Sequence, residues 1–282
     1  MKKIVWISSY PKSGNTFLRA MLSAFFYSKE GIFKQKYLEN IFEFPRDFFD
    51  FKSSNNFLNE VKEYEKIQKK ISNTDKEVIF LKTHSANLSI KKIFPTINKD
   101  CSMCCIYIVR DPRNVILSLK NHYNLDIKKC LHLLINDKNF IFTNDKDLSK
   151  GYTLTLDWAS NYLSWKNQKD INTIFVKFED LVFDQEKTFT YILNKLKKFV
   201  NLEIDKKKIE NIVKTTNFKH LRQLEEKEGF IENKIMGISD NKNFFFNKGP
   251  EQNFNKDLDP SIIEEINKKY KNLLLELNYL KN

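Results

Sequence analysis

Short apolar runs alternate along the chain with segments whose apolar residues recur at helical spacing. The apolar runs predict four buried strands, at residues 4–8, 78–81, 106–109 and 173–176. The helical spacing predicts helices that follow Gly14 and Pro112 and others that span residues 154–165 and 189–196. Because strands alternate with helices, we expect an α/β fold with a mostly parallel central β-sheet flanked by helices on both faces.

Two further stretches complete the predicted organisation. Asp259 as an N-cap and Pro260 in the first turn predict a C-terminal helix at about 260–280. Residues from about 25 to 75 carry many aromatic side chains without a helical or strand period, which predicts long loops. Such loops either wall an apolar pocket or cap the core. No internal repeat and no Gly/Ser/Pro-rich linker divides the chain, so residues 1–282 are predicted to form a single domain.

The composition is that of a folded, basic protein. Of 282 residues 41% are hydrophobic, including 25 Phe, which is enough to bury a substantial core and excludes a disordered chain. No run approaches the ~20 apolar residues of a membrane span, and the N-terminus turns polar at Ser8, so we expect a cytoplasmic protein. The 48 Lys and Arg exceed the 36 Asp and Glu by 12, but Lys is spread along the chain and indicates no nucleic-acid site.

The four cysteines leave two interpretations open. Cys101 and Cys104 have C-x-x-C spacing, but no second Cys/His pair has the spacing of zinc ligands. Cys104 and Cys105 lead into a predicted buried strand, and Cys130 stands alone. Core packing is favoured over metal or redox chemistry, because a free Cys is commonly a small buried hydrophobe.

The segment Tyr-Pro-Lys-Ser-Gly-Asn-Thr, residues 10–16, lies between the first predicted strand and the first helix. The start of that helix presents free backbone N–H groups and the positive end of the helix dipole, which favours an anion. Gly14 permits a tight turn, while Lys12, Ser13 and Thr16 supply further hydrogen-bond donors. The alternative is an ordinary turn. The segment is not a Walker A loop, because Lys precedes Gly.

A second anion-binding element follows the third predicted strand. Arg110 ends that strand, and Ser118 lies within the helix that begins near Pro112. Ligands bind at the carboxyl edge of such a sheet, where Arg offers two parallel donors to a phosphate. A strand–Pro–helix junction is common by itself. The prediction of an anion site is therefore strengthened mainly by the order and spacing of this element after the segment at residues 10–16.

These segments resemble the motifs of the cytosolic-type sulfotransferases, which use 3′-phosphoadenosine 5′-phosphosulfate (PAPS) and release 3′-phosphoadenosine 5′-phosphate (PAP). The segment YPKSGNTFLR is similar to the phosphosulfate loop, RDPRNVILS to the 3′-phosphate motif, and FFFNKG to the late RKG element. The resemblance implies a P-loop-like fold. It further implies 5′-phosphate contacts from Lys12, Ser13, Gly14, Asn15 and Thr16, and 3′-phosphate contacts from Arg110, Ser118, Asn247, Lys248 and Gly249. Adenosine contacts are implied for Phe17, Phe178, Thr216 and Phe218.

The chain departs from the family pattern at several of these positions. Phe17 stands where the family usually has Trp, Phe178 where it has Tyr, and Asn247 where it has Arg. Gln252, Asn253 and Phe254 also differ from the usual residues after the RKG element. The tryptophans Trp158 and Trp165 match a family helix, although core packing is the favoured interpretation for both.

Transfer of a sulfuryl group to a hydroxyl or amine needs a base on one side and a cation on the other. Lys82-Thr83-His84 follows the second predicted strand and is similar to the family's KTH motif, so we expect His84 to be the general base. By family precedent, Lys12 stabilises the leaving oxygen, Ser118 restrains that lysine, and Lys82 assists at the sulfuryl group. Displacement is then in line, and no metal is needed.

The remaining predictions concern partners and alternatives. The sulfuryl acceptor is a small molecule, such as an apolar alcohol, phenol, lipid or glycan, bound on the side of the aromatic-rich loops at about 25–75. Neither nucleic acid nor stable membrane insertion is expected, and the oligomeric state is not readable. The histidines His122, His132 and His220 are interpreted as surface or packing residues. A non-catalytic PAP- or PAPS-binding protein and a P-loop nucleotide kinase remain alternatives.

Overall fold

A computed structural model describes residues 2–48, 57–138, 140–142, 152–232 and 244–281. Its central sheet has five parallel strands in the order β2-β3-β1-β6-β9. They are β1 (Ile4–Ser9), β2 (Phe42–Glu43), β3 (Ile79–Thr83), β6 (Ser102–Val109) and β9 (Asn172–Lys177). Two antiparallel pairs join β4 (Ser89–Ile90) to β5 (Phe94–Pro95) and β7 (Phe140–Phe142) to β8 (Tyr152–Leu154). The parallel sheet confirms the predicted fold class.

Helices cover both faces of this sheet. In chain order they are α1 (Asn15–Tyr27), α2 (Phe57–Ser72), α3 (Pro112–Tyr123), α4 (Ile127–Ile135), α5 (Trp158–Lys166), α6 (Phe178–Phe183), α7 (Gln185–Leu196), α8 (Lys206–Thr216), α9 (Phe218–Glu228), α10 (Phe254–Asp257) and α11 (Pro260–Glu276). Short 3-10 segments occur at Gln35–Asn40, Arg46–Phe48 and Gly249–Glu251. Among the helices of the described ranges, none is both long and apolar enough to cross a bilayer.

The core divides into two layers, one on each face of the sheet. Along β1, Ile4 and Trp6 pack into one layer and Val5 and Ile7 into the other, as the alternation of a strand requires. Helices α3, α5 and α11 contribute to the first layer, and α1, α7 and α8 to the second. Since both faces are covered, the strands read in the sequence as continuous apolar runs.

The structure corrects three element boundaries. Leu154 belongs to β8, so the helix predicted for 154–165 starts only at Trp158, after the side chain of Asp157 caps its first turn. The predicted loops at about 25–75 include the helix α2. Its polar face is rich in Lys and Glu, and its opposite face carries the buried residues Val61 and Tyr64. The C-terminal helix ends at Glu276, short of residue 280.

The cysteines are all free and buried. Cys105 packs in the layer of Trp6, whereas Cys104 packs in the layer of Ile7 on the opposite face of β6. This arrangement is the packing role favoured from the sequence. Within the described part of the chain, no three His, Cys, Asp or Glu side chains are grouped as a metal site would require.

Candidate functional site

A cavity of about 150 Å³ opens at the carboxyl edge of the sheet, where the β1–α1 loop meets the ends of β3 and β6. The segment 244–249 closes its far side. The cavity brings together most of the residues predicted from the sequence, namely Lys12, Gly14, Asn15, Thr16, Phe17, Lys82, His84, Arg110, Ser118, Phe178, Phe218, Asn247, Lys248 and Gly249. Residues from six separate stretches of sequence therefore share one crevice.

The β1–α1 loop has the backbone of a tight anion-binding turn. Lys12 has a φ of 65° and Gly14 a φ of 100°, both in the left-handed region. Gly14 is the N-cap of α1, and a methyl group at its Cα would lie 2.3 Å from Cδ2 of Phe178. Glycine is therefore required here both by its backbone angle and by the close approach of an aromatic ring.

Several buried polar atoms in and beside this loop lack partners among the described residues, and two of them are donors suited to a phosphate. Ser13 Oγ and Arg110 Nε are inaccessible to solvent and make no hydrogen bond with any described residue. Buried polar groups are normally paired, so unpaired ones at a helix N-terminus indicate a place for a ligand.

Two other polar side chains of the loop donate hydrogen bonds to the protein, although Asn15 Oδ1 is itself buried without a partner among the described residues. Asn15 Nδ2 donates to the carbonyl of Ile7 at 3.0 Å and to Ser9 Oγ at 3.3 Å. Thr16 Oγ1 donates to Glu232 Oε2 at 2.9 Å, and the same carboxylate forms a buried ion pair with Arg19. Although burial opposes ionisation, Arg19 and then Lys82 hold the pKa of Glu232 at about 2.

Arg110 links the β1–α1 loop to the segment 249–252 by hydrogen bonds across the crevice. Its Nη1 donates to the carbonyl of Lys12 at 3.1 Å, and its Nη2 donates to the carbonyl of Gly249 at 3.2 Å and to Gln252 Oε1 at 3.3 Å. The guanidinium carbon also lies 4.4 Å from the centroid of the Phe178 ring. Burial lowers the pKa of Arg110 only to about 10, so the side chain stays positive at neutral pH.

His84 follows β3 with its ring fixed by the end of β1. Nδ1 lies 2.8 Å from the carbonyl oxygen of Ser9. Because a carbonyl only accepts, Nδ1 carries the proton and Nε2 keeps a free electron pair. Burial, and next the charge of Lys82, lower the pKa of His84 to about 4. The imidazole is therefore neutral near pH 7 and its Nε2 is able to take a proton.

Two lysines flank this imidazole. Lys82 Nζ forms a buried ion pair with Glu43 Oε2 at 3.1 Å. Lys12 Nζ lies 4.3 Å from the centroid of the Phe245 ring. Burial lowers the pKa of Lys12 to about 7, although the negative charge of Glu232 acts in the opposite direction.

Helix α5 holds the backbone behind the reactive groups. Asn161 Nδ2 donates to the carbonyl of His84 at 3.0 Å, and Trp165 Nε1 donates to the carbonyl of Ser85 at 3.2 Å. Trp158 Nε1 donates to the carbonyl of Arg110 at 3.1 Å. Both tryptophans are fully buried in the core, as predicted, and each also anchors a strand end of the site.

The sequence profile of the sulfotransferase domain family matches residues 2–278. The chain belongs to this family. A mouse sulfotransferase, SULT7A1, solved with PAP, is 16% identical with a TM-score of 0.60, covering 97% of this chain and 85% of that one. Retinol dehydratase, solved with androsterone and inactive cofactor PAP, is 17% identical with a TM-score of 0.59, covering 96% and 80%. At these identities the structures show the shared fold. No curated protein sequence matches the chain.

The cavity of this sulfotransferase contains residues that the sequence analysis did not select, namely Pro11, Glu43, Asn121, His122, Tyr123, Thr153, Glu232, Phe244, Phe245, Phe246 and Gln252. His122, interpreted from the sequence as a surface or packing residue, packs against Phe245 and also lines the cavity. Its position four residues after Ser118, on the same face of a predicted helix, is the signal that could have found it. Glu43 and Glu232 carried no such signal, because both lie in segments without a recognisable motif.

Two predicted residues of the sulfotransferase do not line the cavity. Ser13 is buried within the loop itself. Thr216 is buried near the end of α8, where its hydroxyl donates to the carbonyl of Ile212 at 2.7 Å and accepts from Gln185 at 2.9 Å. His132, on α4, is exposed and His220, on α9, is half-buried; both lie outside the cavity.

Most described aromatic residues of the stretch at 25–75 pack against the core, whereas Tyr27 and Phe42 are partly exposed. Phe25 and Phe33 pack in one layer of the core and Phe44 in the other. From the described residues at 25–75, only Glu43 lines the cavity. Phe49 and Phe51, which also belong to this stretch, lie outside the described residues.

Proposed function

We propose that this sulfotransferase moves the sulfuryl group of PAPS to a hydroxyl of a small acceptor molecule and releases PAP. The observation that carries the proposal is the single crevice in which His84, Lys12, Lys82 and Arg110 meet the start of α1. A neutral base, mobile cations and an anion-binding turn are the groups that this reaction needs. The PAP found in two structures of the same fold supports this choice of sulfuryl donor.

The residues present fit such a nucleotide. Ser13 Oγ and the backbone amides at the start of α1 are free to bind the 5′-phosphate, together with Lys12. Arg110 Nε, which has no partner among the described residues, is free for the 3′-phosphate, and Ser118, Asn247, Lys248 and Gly249 stand beside it. The rings of Phe17, Phe178 and Phe218 provide apolar surface for the adenine. Thr216, expected near the adenosine, lies outside the cavity, and we assign it no contact with the nucleotide.

The nucleotide supplies the sulfuryl group, and the chain handles the proton and the charge. His84 Nε2 takes the proton of the acceptor hydroxyl, since Nδ1 is held by the carbonyl of Ser9. Lys12 stabilises the negative charge that forms on the 5′-phosphate oxygen when the sulfur–oxygen bond breaks. Lys82, held in place by Glu43, assists at the sulfuryl oxygens, and Ser118 restrains Lys12.

A bound polyanion changes the protonation of the site in the direction the reaction needs. Burial, and after it the charge of Lys82, lower the pKa of both His84 and Lys12 when no anion is present. Phosphate charges nearby offset that effect, so we expect the pKa of each group to rise on binding. Lys12 then remains an ammonium group, and His84 becomes a stronger base.

Calorimetry and a transfer assay with labelled PAPS test the proposal. PAP is expected to bind much more tightly than adenosine 5′-phosphate, because only PAP engages Arg110. The variant His84→Ala is expected to keep PAP affinity within about twofold and to lose roughly 10²–10⁴ of kcat, the usual contribution of a positioned base. His132→Ala, on the exposed face of α4, is the matched control and should retain activity.

Three results would contradict the proposal in whole or in part. Equal affinity for the nucleotides with and without the 3′-phosphate would exclude PAPS as the natural donor. Full turnover by His84→Ala would remove the imidazole from its role as base, and tight PAP binding without transfer to any acceptor would favour a binding protein.

A further inference from the structure

The end of the cavity beside His84 is lined by polar side chains that have no hydrogen-bond partners. Asn121, His122 and Tyr123 come from the last turn of α3, and Thr153 comes from β8. None of these four side chains makes a hydrogen bond to another described residue, although Thr153 is buried and Asn121 and His122 are half-buried. Polar groups that converge on a cavity and lack partners require a ligand or water to pair with them.

His122 lies in the same part of the cavity as Lys12, because both side chains lie against the ring of Phe245. Burial, and next the charge of Lys12, lower the pKa of His122 to about 3, with smaller effects from Lys82 and His84. The imidazole is therefore neutral, with one nitrogen that donates and one that accepts. Its ring centroid lies 5.6 Å from that of Phe245, the residue that also covers Lys12.

The charged groups at this end do not favour a charged acceptor. The carboxylate of Glu43 is neutralised by Lys82, and that of Glu232 by Arg19. What remains is an amide, an imidazole and two hydroxyl groups, each of which both donates and accepts hydrogen bonds. Hydroxyl groups of a ligand have the same two capacities, whereas a carboxylate only accepts and an ammonium only donates.

No aromatic residue from the described part of the stretch 25–75 lines the cavity. The aromatic rings among the described lining residues come from Phe17, Tyr123, Phe178, Phe218 and the segment 244–246, and Phe245 lies beside both Lys12 and His122. Most described aromatic residues of the stretch pack against the core instead, whereas Tyr27 and Phe42 are partly exposed.

We propose that the acceptor is a neutral, polyhydroxylated molecule of the sugar or glycoside class, and that His122 is a specificity-determining residue for it; this inference rests on the proposed function. One ring hydroxyl reacts at His84, while neighbouring hydroxyls pair with His122, Asn121 and Thr153. An apolar alcohol would bury these polar groups without hydrogen-bond partners. A site built for hydrogen bonding binds such a ligand much more weakly than one that pairs with its polar groups.

The test compares acceptors of equal ring size with labelled PAPS. One is a panel of methyl pyranosides, and the other is cyclohexylmethanol, which has a single hydroxyl. We expect kcat/KM to favour the best pyranoside by at least about tenfold. His122→Leu should lower kcat/KM for that pyranoside by roughly tenfold to a hundredfold and leave cyclohexylmethanol nearly unaffected.

Controls separate a lost contact from a disturbed fold. His122→Gln, whose amide both donates and accepts, should recover much of the lost activity, and His132→Leu on exposed α4 should behave as the parent. PAP affinity should be the same in all variants.

Each other outcome bears on one proposal or the other. Preference for cyclohexylmethanol, transfer to neither compound while PAP still binds, or no effect of His122→Leu would overturn the polyhydroxylated acceptor and leave the sulfotransferase reaction standing. Failure to bind PAP at all would instead refute the proposed function itself.

Discussion

Replacement of Gly14 by Ala provides a quantitative test of how the phosphate loop is built. The residue has a φ of 100°, and its added Cβ would lie 2.3 Å from Cδ2 and 2.9 Å from Cε2 of Phe178. Both distances are shorter than a carbon–carbon contact permits. The ring of Phe178 cannot retreat freely, because the guanidinium of Arg110 lies 4.4 Å from its centroid on the nucleotide side.

The expected cost has two parts. A left-handed conformation costs an L-residue roughly 1–2 kcal/mol, and forcing an extra methyl against a packed ring costs roughly 1–3 kcal/mol more. Gly14→Ala is therefore expected to lower the free energy of unfolding by about 2–5 kcal/mol. In a protein of this size that corresponds to a fall in Tm of at least about 4 °C.

A double-mutant cycle separates the two parts. A valine side chain ends at Cγ, so Phe178→Val removes the ring atoms Cδ2 and Cε2 that would clash with the added Cβ. Only the backbone cost of Gly14→Ala should then remain. Urea unfolding of the four proteins is then expected to give a coupling energy of about 1–3 kcal/mol. If Gly14→Ala costs the same with and without the phenyl ring, the contact with Phe178 does not constrain this loop and the reasoning is wrong.

Three further predictions concern the charged and unpaired groups of the site. The pH dependence of kcat/KM for PAPS reports the pKa values of the unbound enzyme. The value of kcat/KM is expected to fall as the pH drops through about 4, where His84 takes a proton, and as the pH rises through about 7, where Lys12 loses a proton. An acid limb near 6.5 would contradict the lowered pKa of the imidazole. Lys82→Met removes the buried ion pair with Glu43 and should reduce the unfolding free energy by up to roughly 3–5 kcal/mol. Lys82→Met combined with Glu43→Leu should restore most of that loss in urea unfolding, and an unrepaired loss would show that the pair is not the cause. Ser13→Ala should leave stability unchanged, because the hydroxyl has no partner among the described residues. It should nevertheless weaken PAP binding by roughly 1.5–3 kcal/mol in calorimetry. A loss of stability together with unchanged PAP affinity would refute this prediction.

The sheet and the motifs on its edge were predictable because local physics determines them. Residues 4–8 and 106–109 read as buried strands since both of their faces are covered, and the turn before α1 is visible in Gly14 and its polar neighbours. The carboxyl ends of parallel strands meet at one edge, which is why His84 and Arg110 come together over the same cavity.

The acceptor end was not predictable in the same way. The aromatic stretch has no period, so the sequence could not decide between a pocket wall and a core cap. Most of its described rings pack against the core. His122 carries no motif, and its place in the cavity depends on how α3 packs against Phe245. Glu232 meets Thr16 across 216 positions of chain, a contact that arises only from tertiary structure.

The bonds that α5 makes to the carbonyls of His84, Ser85 and Arg110 have a consequence for how such an enzyme diverges. These bonds lie behind the crevice, and neither Asn161 nor the two tryptophans lines it. Substitutions at the end of α3 or at Thr153 can therefore retune which molecules enter while the reacting groups keep their spacing. To change the range of acceptors, the residues at the end of α3 and Thr153 should be varied, and the hydrogen bonds from α5 should be kept.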